Sequence, residues 1–172
     1  MRSSTYKTLA WVGAIVFFGF AFYAFQVQSH QHMNFPETVV NFAADNVMGG
    51  KSDYASEKGT ATLIVLTASW CPACRAELPI LKQFHEEFSS KGLKILMIDE
   101  DDSKKVARKF KKSVGIPWTM LHWNYDAIKA LGNPGVIPVS YLVDKNDKIQ
   151  HVDVGSLNEL RVRQELKRLL GK

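Results

Sequence analysis

Cysteine is almost absent from this chain. Only Cys71 and Cys74 occur among 172 residues, three apart in "TASWCPACRAELP". A disulfide-stapled scaffold needs a denser supply, so the fold must rest on an apolar core. Histidine is scarce too. His30, His32, His85, His122 and His151 include no pair at the H-x3-5-H spacing that would complete a zinc site with a CxxC. Charge is missing from Leu9 to Phe25, and no lysine or arginine lies between Gln26 and Gly50. Internal repeats and low-complexity tracts are also lacking, which excludes a solenoid or a long disordered tail.

What is present reads as one ordinary domain behind an appendage, since 46% of residues are hydrophobic and 23% charged. The uncharged run "LAWVGAIVFFGFAFYAF" is close to the roughly 20 residues that span a bilayer as a helix. It exceeds the apolar region of a signal peptide, about 7–15 residues, and no A-x-A site comes after it. Weaker small-residue sites after Ala21 or Ser29 leave a cleaved signal open as the alternative. The expected organisation is a cytoplasmic stretch at 1–8, an anchor at 9–27, a tether at 28–38 and a folded domain at 39–172. Arg2 and Lys7 precede the apolar run, so the positive-inside rule sends the domain out of the cytoplasm, and a cleaved signal would export it equally.

The net charge of +5 falls to about +3 without Arg2 and Lys7. Six basic residues stand in "KKVARKFKK", where Val106 and Phe110 at i, i+4 predict a helix with one apolar edge and a solvated basic face. No aromatic interleaving or basic fold motif accompanies them, which argues against nucleic acid as a partner.

"TLIVLTA" and "LKILMID" read as buried strands, and "VVNFA" with the segment around Tyr54 as a loose hairpin. The helix after the CxxC shows Leu78, Leu81, His85 and Phe88 as its apolar stripe, and Pro79 is expected to kink it. The acids of "DEDDS" should favour the start of the basic helix. "IPWTMLHW" predicts a third strand, and "NYDAIKALG" a short helix capped by Asn124 and stopped by Gly132. "VSYLVDKNDKIQHVDVG" predicts a hairpin. The last helix has Ser156 and Glu159 at capping-box spacing. The order β-α-β-α-(β-α)-β-β-α gives an α/β domain with helices on both faces of a central sheet. Trp118, Trp123, His85 and His122 are read as packing residues.

Three uses of Cys71 and Cys74 compete: a structural disulfide, half of a metal site, and a redox dithiol. So short a loop removes little entropy from the unfolded chain, and the further zinc ligands are missing. Placement favours redox. Cys71 comes after a buried strand and opens a helix, where free N–H groups and the helix dipole stabilise a thiolate. Pro72 suits the first helical position, and Cys74, one turn on, can attack a mixed disulfide formed at Cys71. His30, His32 and Met33 cluster before the domain; a hydrophilic spacer is the favoured reading, and weak copper binding the rival.

On these residues, "LIVLTASWCPACRAELPIL" resembles the active-site segment of thioredoxin-fold proteins, in particular the membrane-anchored TlpA/ResA/CcmG (DsbE) branch, from about Phe42 to Leu170. "GVIPVSYLVD" is similar to that family's cis-proline loop, which would set Ile137-Pro138 opposite the CxxC. Glu77, three residues after Cys74, matches a glutamate that manages the buried cysteine's proton. The helical insertion between the second and third strands also matches the branch. Three departures stand out: Val65 replaces thioredoxin's buried aspartate, Val139-Ser140 replaces the Glu-Thr of CcmG-type proteins, and Pro72-Ala73 lacks the histidine of strongly oxidising relatives.

The resemblance implies a thioredoxin-like fold with a mixed sheet and the TlpA/ResA-type insertion. It implies a thiol–disulfide oxidoreductase in which Cys71 attacks, Cys74 resolves and Glu77 shuttles a proton. Trp70, Pro72, Ile137 and Pro138 would border the substrate. No cofactor beyond the Cys71–Cys74 disulfide and no metal are implied. The implied partners are protein thiols or disulfides, apocytochrome c among them, and a membrane electron donor of DsbD/CcdA type. The expected setting is a monomer anchored by a single pass in a bacterial inner membrane, its domain in the periplasm. The Pro72-Ala73 pair points to reduction; a thiol oxidase using the same site is the alternative, and a copper-binding chaperone using Cys71, Cys74 and His30 or His32 is the other.

Overall fold

A computed structural model describes residues 35–171. The expected anchor, the start of the tether, and His30, His32 and Met33 lie outside the described residues.

The first elements are a small antiparallel hairpin, β1 (Ala43–Asp45) and β2 (Lys51–Asp53), and a one-turn helix, α1 (Tyr54–Glu57). Next come β3 (Ala61–Thr67), α2 (Pro72–Phe88), β4 (Leu93–Asp99), α3 (Lys104–Ser113), β5 (Thr119–His122) and α4 (Tyr125–Ala130). The chain then forms β6 (Val139–Asp144), β7 (Ile149–Val154) and α5 (Glu159–Leu170). Five strands make the main sheet in the order β5-β4-β3-β6-β7. The first three run parallel, and β6 and β7 are added antiparallel. The expected α/β order is therefore the observed one.

β3 is buried at every residue, which is why it reads as a continuous apolar run with no polar alternation. Its side chains still alternate between faces. Leu63 and Val65 pack with Leu78, Leu81, Phe84 and Phe88 of α2, Ala107 and Phe110 of α3, and Val162 and Leu166 of α5. Ile64 and Leu66 join a second cluster with Phe42, Tyr54, Ala127 and Leu131. Three helices thus cover one face; α4 and the N-terminal residues cover the other.

Several local expectations shift. Residues 35–38, assigned above to the tether, are docked on the domain: Phe35 packs edge-on to Tyr141 at 5.6 Å, and the Glu37 carbonyl accepts the Ile149 N–H at 2.9 Å. In helix α2, Phe84 takes the core position expected of His85, which instead lies 5.6 Å from the Trp118 ring. In α3 the buried row is Ala107 and Phe110, while Val106 faces solvent. That helix has no acid in its first turn; Ser103 caps it by accepting the Val106 N–H. Asn158, not Ser156, caps α5 through the Arg161 N–H, because the helix begins at Glu159. Asn124 caps α4 as expected, through the Ala127 N–H at 2.8 Å.

Phe84 is fully buried beneath α5, with the Arg163 guanidinium 5.1 Å from its ring centre. Phe84→Ala in the full-length chain is expected to remove about 3–5 kcal/mol of stability. Urea unfolding checks this as a lower midpoint at unchanged slope; a loss under about 1 kcal/mol would show that the face collapses onto the gap.

Candidate active site

Strand β3 ends at Thr67, and Ala68, Ser69 and Trp70 carry the chain to Cys71, the N-cap of α2. Cys71 and Cys74 are joined as a disulfide. The Cys71 Sγ accepts the Cys74 backbone N–H at 3.1 Å, a place that serine or aspartate oxygens fill at other helix starts. The sulfur therefore sits at the positive end of the helix dipole, held by a backbone donor. Pro72 occupies the first helical position, where no N–H is needed. The disulfide is nearly closed off, Cys71 being 5% and Cys74 2% exposed.

Across from the cysteines the Ile137–Pro138 peptide is cis. Ile137 packs with Ala68, Cys71 and Cys74 as a small cluster separate from the main cores. The Pro138 carbonyl accepts the Gly155 N–H at 2.9 Å, which ties this loop to the end of β7. Trp70, by contrast, is 65% exposed and stands at the surface beside the disulfide.

Glu77 is buried, 6% exposed, on the α2 turn after Cys74. Its Oε1 accepts the Leu157 N–H at 2.6 Å, and its Oε2 is buried without a partner. Burial pushes its pKa up; the Leu157 N–H opposes the rise, and the charge of Asp153 adds to it. An i, i+3 pair on a helix brings side chains within about 5–6 Å at Cβ, so Glu77 and Cys74 are neighbours. The structure thus brings Cys71, Cys74, Glu77, Ile137 and Pro138 to one place and leaves Trp70 and Pro72 on its outer rim.

A second buried carboxyl set stands behind the redox loop, made of acids that the sequence pattern places at a helix start. Asp101 accepts both the Ser69 N–H, at 3.1 Å, and the Ser69 hydroxyl, at 2.8 Å. Its own N–H donates to Asp99 Oδ1 at 3.0 Å. Asp99, Asp101 and Thr67 are all fully buried, and Asp99 Oδ2, Asp101 Oδ2 and Thr67 Oγ1 lack partners. Burial lifts the Asp99 pKa to about 7, opposed by the Asp101 N–H and aided by the Asp101 and Glu100 carboxyls. Parallel pairing of β3 with β4 sets Thr67 opposite Asp99, and this explains the inward turn of acids expected at a helix terminus. The signal available in sequence is an aspartate closing a strand that is apolar from Ile95 to Ile98.

Trp118 is buried as expected, and Trp123 is half-exposed in the loop beyond the end of β5. Among the described residues no three His, Cys, Asp or Glu side chains gather as metal ligands. Chemically, the arrangement can make and break one S–S bond, with a thiolate-stabilising helix start at Cys71 and an acid of raised pKa beside Cys74.

The AhpC/TSA family pattern matches residues 36–152 of this chain. Thiol-disulfide oxidoreductase ResA of Bacillus anthracis is 22% identical over 151 residues, covering 88% of this chain and 87% of that protein. ResA of Bacillus cereus (strain ATCC 10987 / NRS 248) is 23% identical over 154 residues, with the same coverage, 88% and 87%. Among solved structures, a thiol:disulfide interchange protein of the thioredoxin family from Chlorobium tepidum TLS superposes with a TM-score of 0.69 at 26% identity, covering 79% of this chain and 97% of that one. A DsbF homologue from Corynebacterium diphtheriae superposes with a TM-score of 0.69 at 19% identity, covering 81% and 90%. The fold is the thioredoxin-like α/β fold.

Below about pH 7 the folded chain keeps the proton on Asp99. Its contribution to stability is complete below the unfolded value near 4 and is lost as pH rises through about 7. The native chain should therefore lose stability between about pH 5 and about pH 8, and Asp99→Asn, which keeps the acceptor for Asp101, should flatten that loss. Urea midpoints at the two pH values decide it; parallel losses in both proteins would show that Asp99 does not titrate there.

Proposed function

This chain belongs to the AhpC/TSA family and is a thiol–disulfide oxidoreductase, and we propose that it acts as a membrane-tethered, extracytoplasmic reductase of disulfides in exported proteins. The observation that carries this reading is the position of the Cys71 sulfur, at the start of α2 with the Cys74 N–H directed at it. That environment favours the thiolate once the bond is reduced.

The reaction begins from the dithiol. The Cys71 thiolate attacks one sulfur of a substrate disulfide; that S–S bond breaks, and the departing sulfur takes up a proton. The substrate is then held at Cys71 as a mixed disulfide. Cys74 gives its proton to Glu77 and attacks the Cys71 Sγ; the bond between Cys71 and the substrate breaks, the second substrate sulfur leaves and takes up that proton, and Cys71–Cys74 is left oxidised. The exposed Trp70 and the Ile137–Pro138 loop flank the sulfur pair and are suited to receive an extended polypeptide there. Two electrons and two protons must return in each cycle, and a membrane dithiol donor of DsbD/CcdA type fits that need.

The reducing direction rests on Pro72-Ala73, which brings no imidazole to the thiolate. Apocytochrome c is one candidate among exported substrates. The uncharged run from Leu9 to Phe25, with Arg2 and Lys7 before it, supports the membrane tether and the extracytoplasmic location.

The reduction potential of the Cys71–Cys74 bond tests the direction. A value near thioredoxin's, about −270 mV or lower, is expected; one near DsbA's, about −120 mV, would make the protein an oxidant. Cys71→Ser is expected to abolish insulin-disulfide reduction, and retained turnover would remove Cys71 from the mechanism.

A further inference from the structure

The parallel strands β3, β4 and β5 all end on the side of the sheet that carries the disulfide, and their ends lead to Ser69, Glu100 and Trp123. Ligand sites of parallel sheets form at such ends. A cleft of about 240 Å³ opens there, lined by Glu100, Trp123, Ile128, Asn133, Pro134 and Gly135. Two stretches of backbone tie it to the redox site. The Glu100 N–H donates to the Thr67 carbonyl at 2.8 Å, four residues before Cys71. Gly135 is two residues from Ile137, which packs on both cysteines.

The chemistry of this cleft is unusual in one respect. An indole, an isoleucine and a proline make up much of its wall, with Asn133 beside them, and it holds one carboxylate. Glu100 is half-buried, and burial raises its pKa. Among the described residues its side chain has no hydrogen-bond or ion-pair partner. Lys129, one residue beyond Ile128, lies instead over the Tyr125 ring at 5.8 Å. Glu100 makes no pairing that would hold the fold together, so its charge is free to meet an incoming group. The volume is below the roughly 300–1,000 Å³ of small-molecule sites, and a single carboxylate is too few ligands for a metal. What fits is one side chain with an apolar stem and a cationic head, as in lysine or arginine, whose charge can also meet the face of an indole.

We propose that the Glu100–Trp123 cleft is a specificity subsite that receives a lysine or arginine next to the disulfide cysteine of the substrate polypeptide. The inference rests on the reductase reading above and narrows its substrates to disulfides flanked by basic residues. Glu100 pairs with the cation, Trp123 and Ile128 cover its stem, and the substrate cysteine is thereby set at Cys71.

The test uses the reduced full-length chain and disulfide peptides that differ at one residue beside the cysteine, either Lys, Gln or Glu, placed before it in one set and after it in another. In at least one set kcat/KM for the Lys peptide should exceed that for Gln by about threefold to tenfold, with Glu slowest. Added salt should shrink the difference. Glu100→Gln should level Lys with Gln, and Glu100→Lys should favour the Glu peptide. Equal rates on all peptides with the native chain, or a lysine preference that survives Glu100→Gln, would overturn the subsite while leaving the redox reading in place. Failure to reduce any peptide would overturn the reductase reading and this inference with it.

Discussion

The parallel pairing of β3 with β4 is the constraint on which the rest of this structure depends. Both strands are seven residues long and pair without offset, from Ala61 opposite Leu93 to Thr67 opposite Asp99. They therefore end at the same level, and the loops that leave the two strands meet each other. Ser69 finds Asp101, Glu100 finds the Thr67 carbonyl, and the Trp123 N–H reaches the Asp99 carbonyl at 2.9 Å. A register slip of one residue would turn the β3 side chains to the wrong faces and separate these partners. The complete burial of β3 makes such a slip prohibitive, because both of its faces are committed to different cores.

On that frame the site divides its electrostatics. Cys71, whose sulfur becomes charged on reduction, is placed where a helix start supplies N–H groups and positive potential. The carboxyls nearby sit where burial discourages charge: Glu77 after Cys74, and Asp99 behind the loop. One sulfur is prepared to be an anion while the acids around it are prepared to hold protons. For a dithiol that must pass two protons along with two electrons, this division separates the nucleophile from the proton acceptors.

Much of this could be read in the chain alone, because it depends on local chemistry. Cys71 after "TLIVLTA", Pro72 at the first helical position and Asn124 before α4 each act through neighbours within four residues. The Ile137–Pro138 loop was legible through family likeness rather than through spacing. The features that escaped depend on partners far along the chain. Asp101 looks like a helix-start acid until strand pairing turns it onto Ser69, 32 residues away. The cap of α5 passes from Ser156 to Asn158 in a segment whose Leu157 N–H is bound to Glu77, 80 residues earlier. The two residues that frame the α3 stripe, Val106 and Ala107, differ by one helical step, and only the position of the sheet selects between them.

The contact between Glu77 and Leu157 has a consequence for where the proton can reside. Oε1 is occupied by the Leu157 N–H, and the neutral acid's carbonyl oxygen can still accept that bond, though less strongly than the carboxylate does. Oε2 alone is unengaged, so the acid has a single docking point for hydrogen. Protonation there leaves the bond between α2 and the start of α5 intact. The side chain can therefore hold a proton and keep its tie to Leu157 at once, the tie slackening as the acid fills and tightening as it empties.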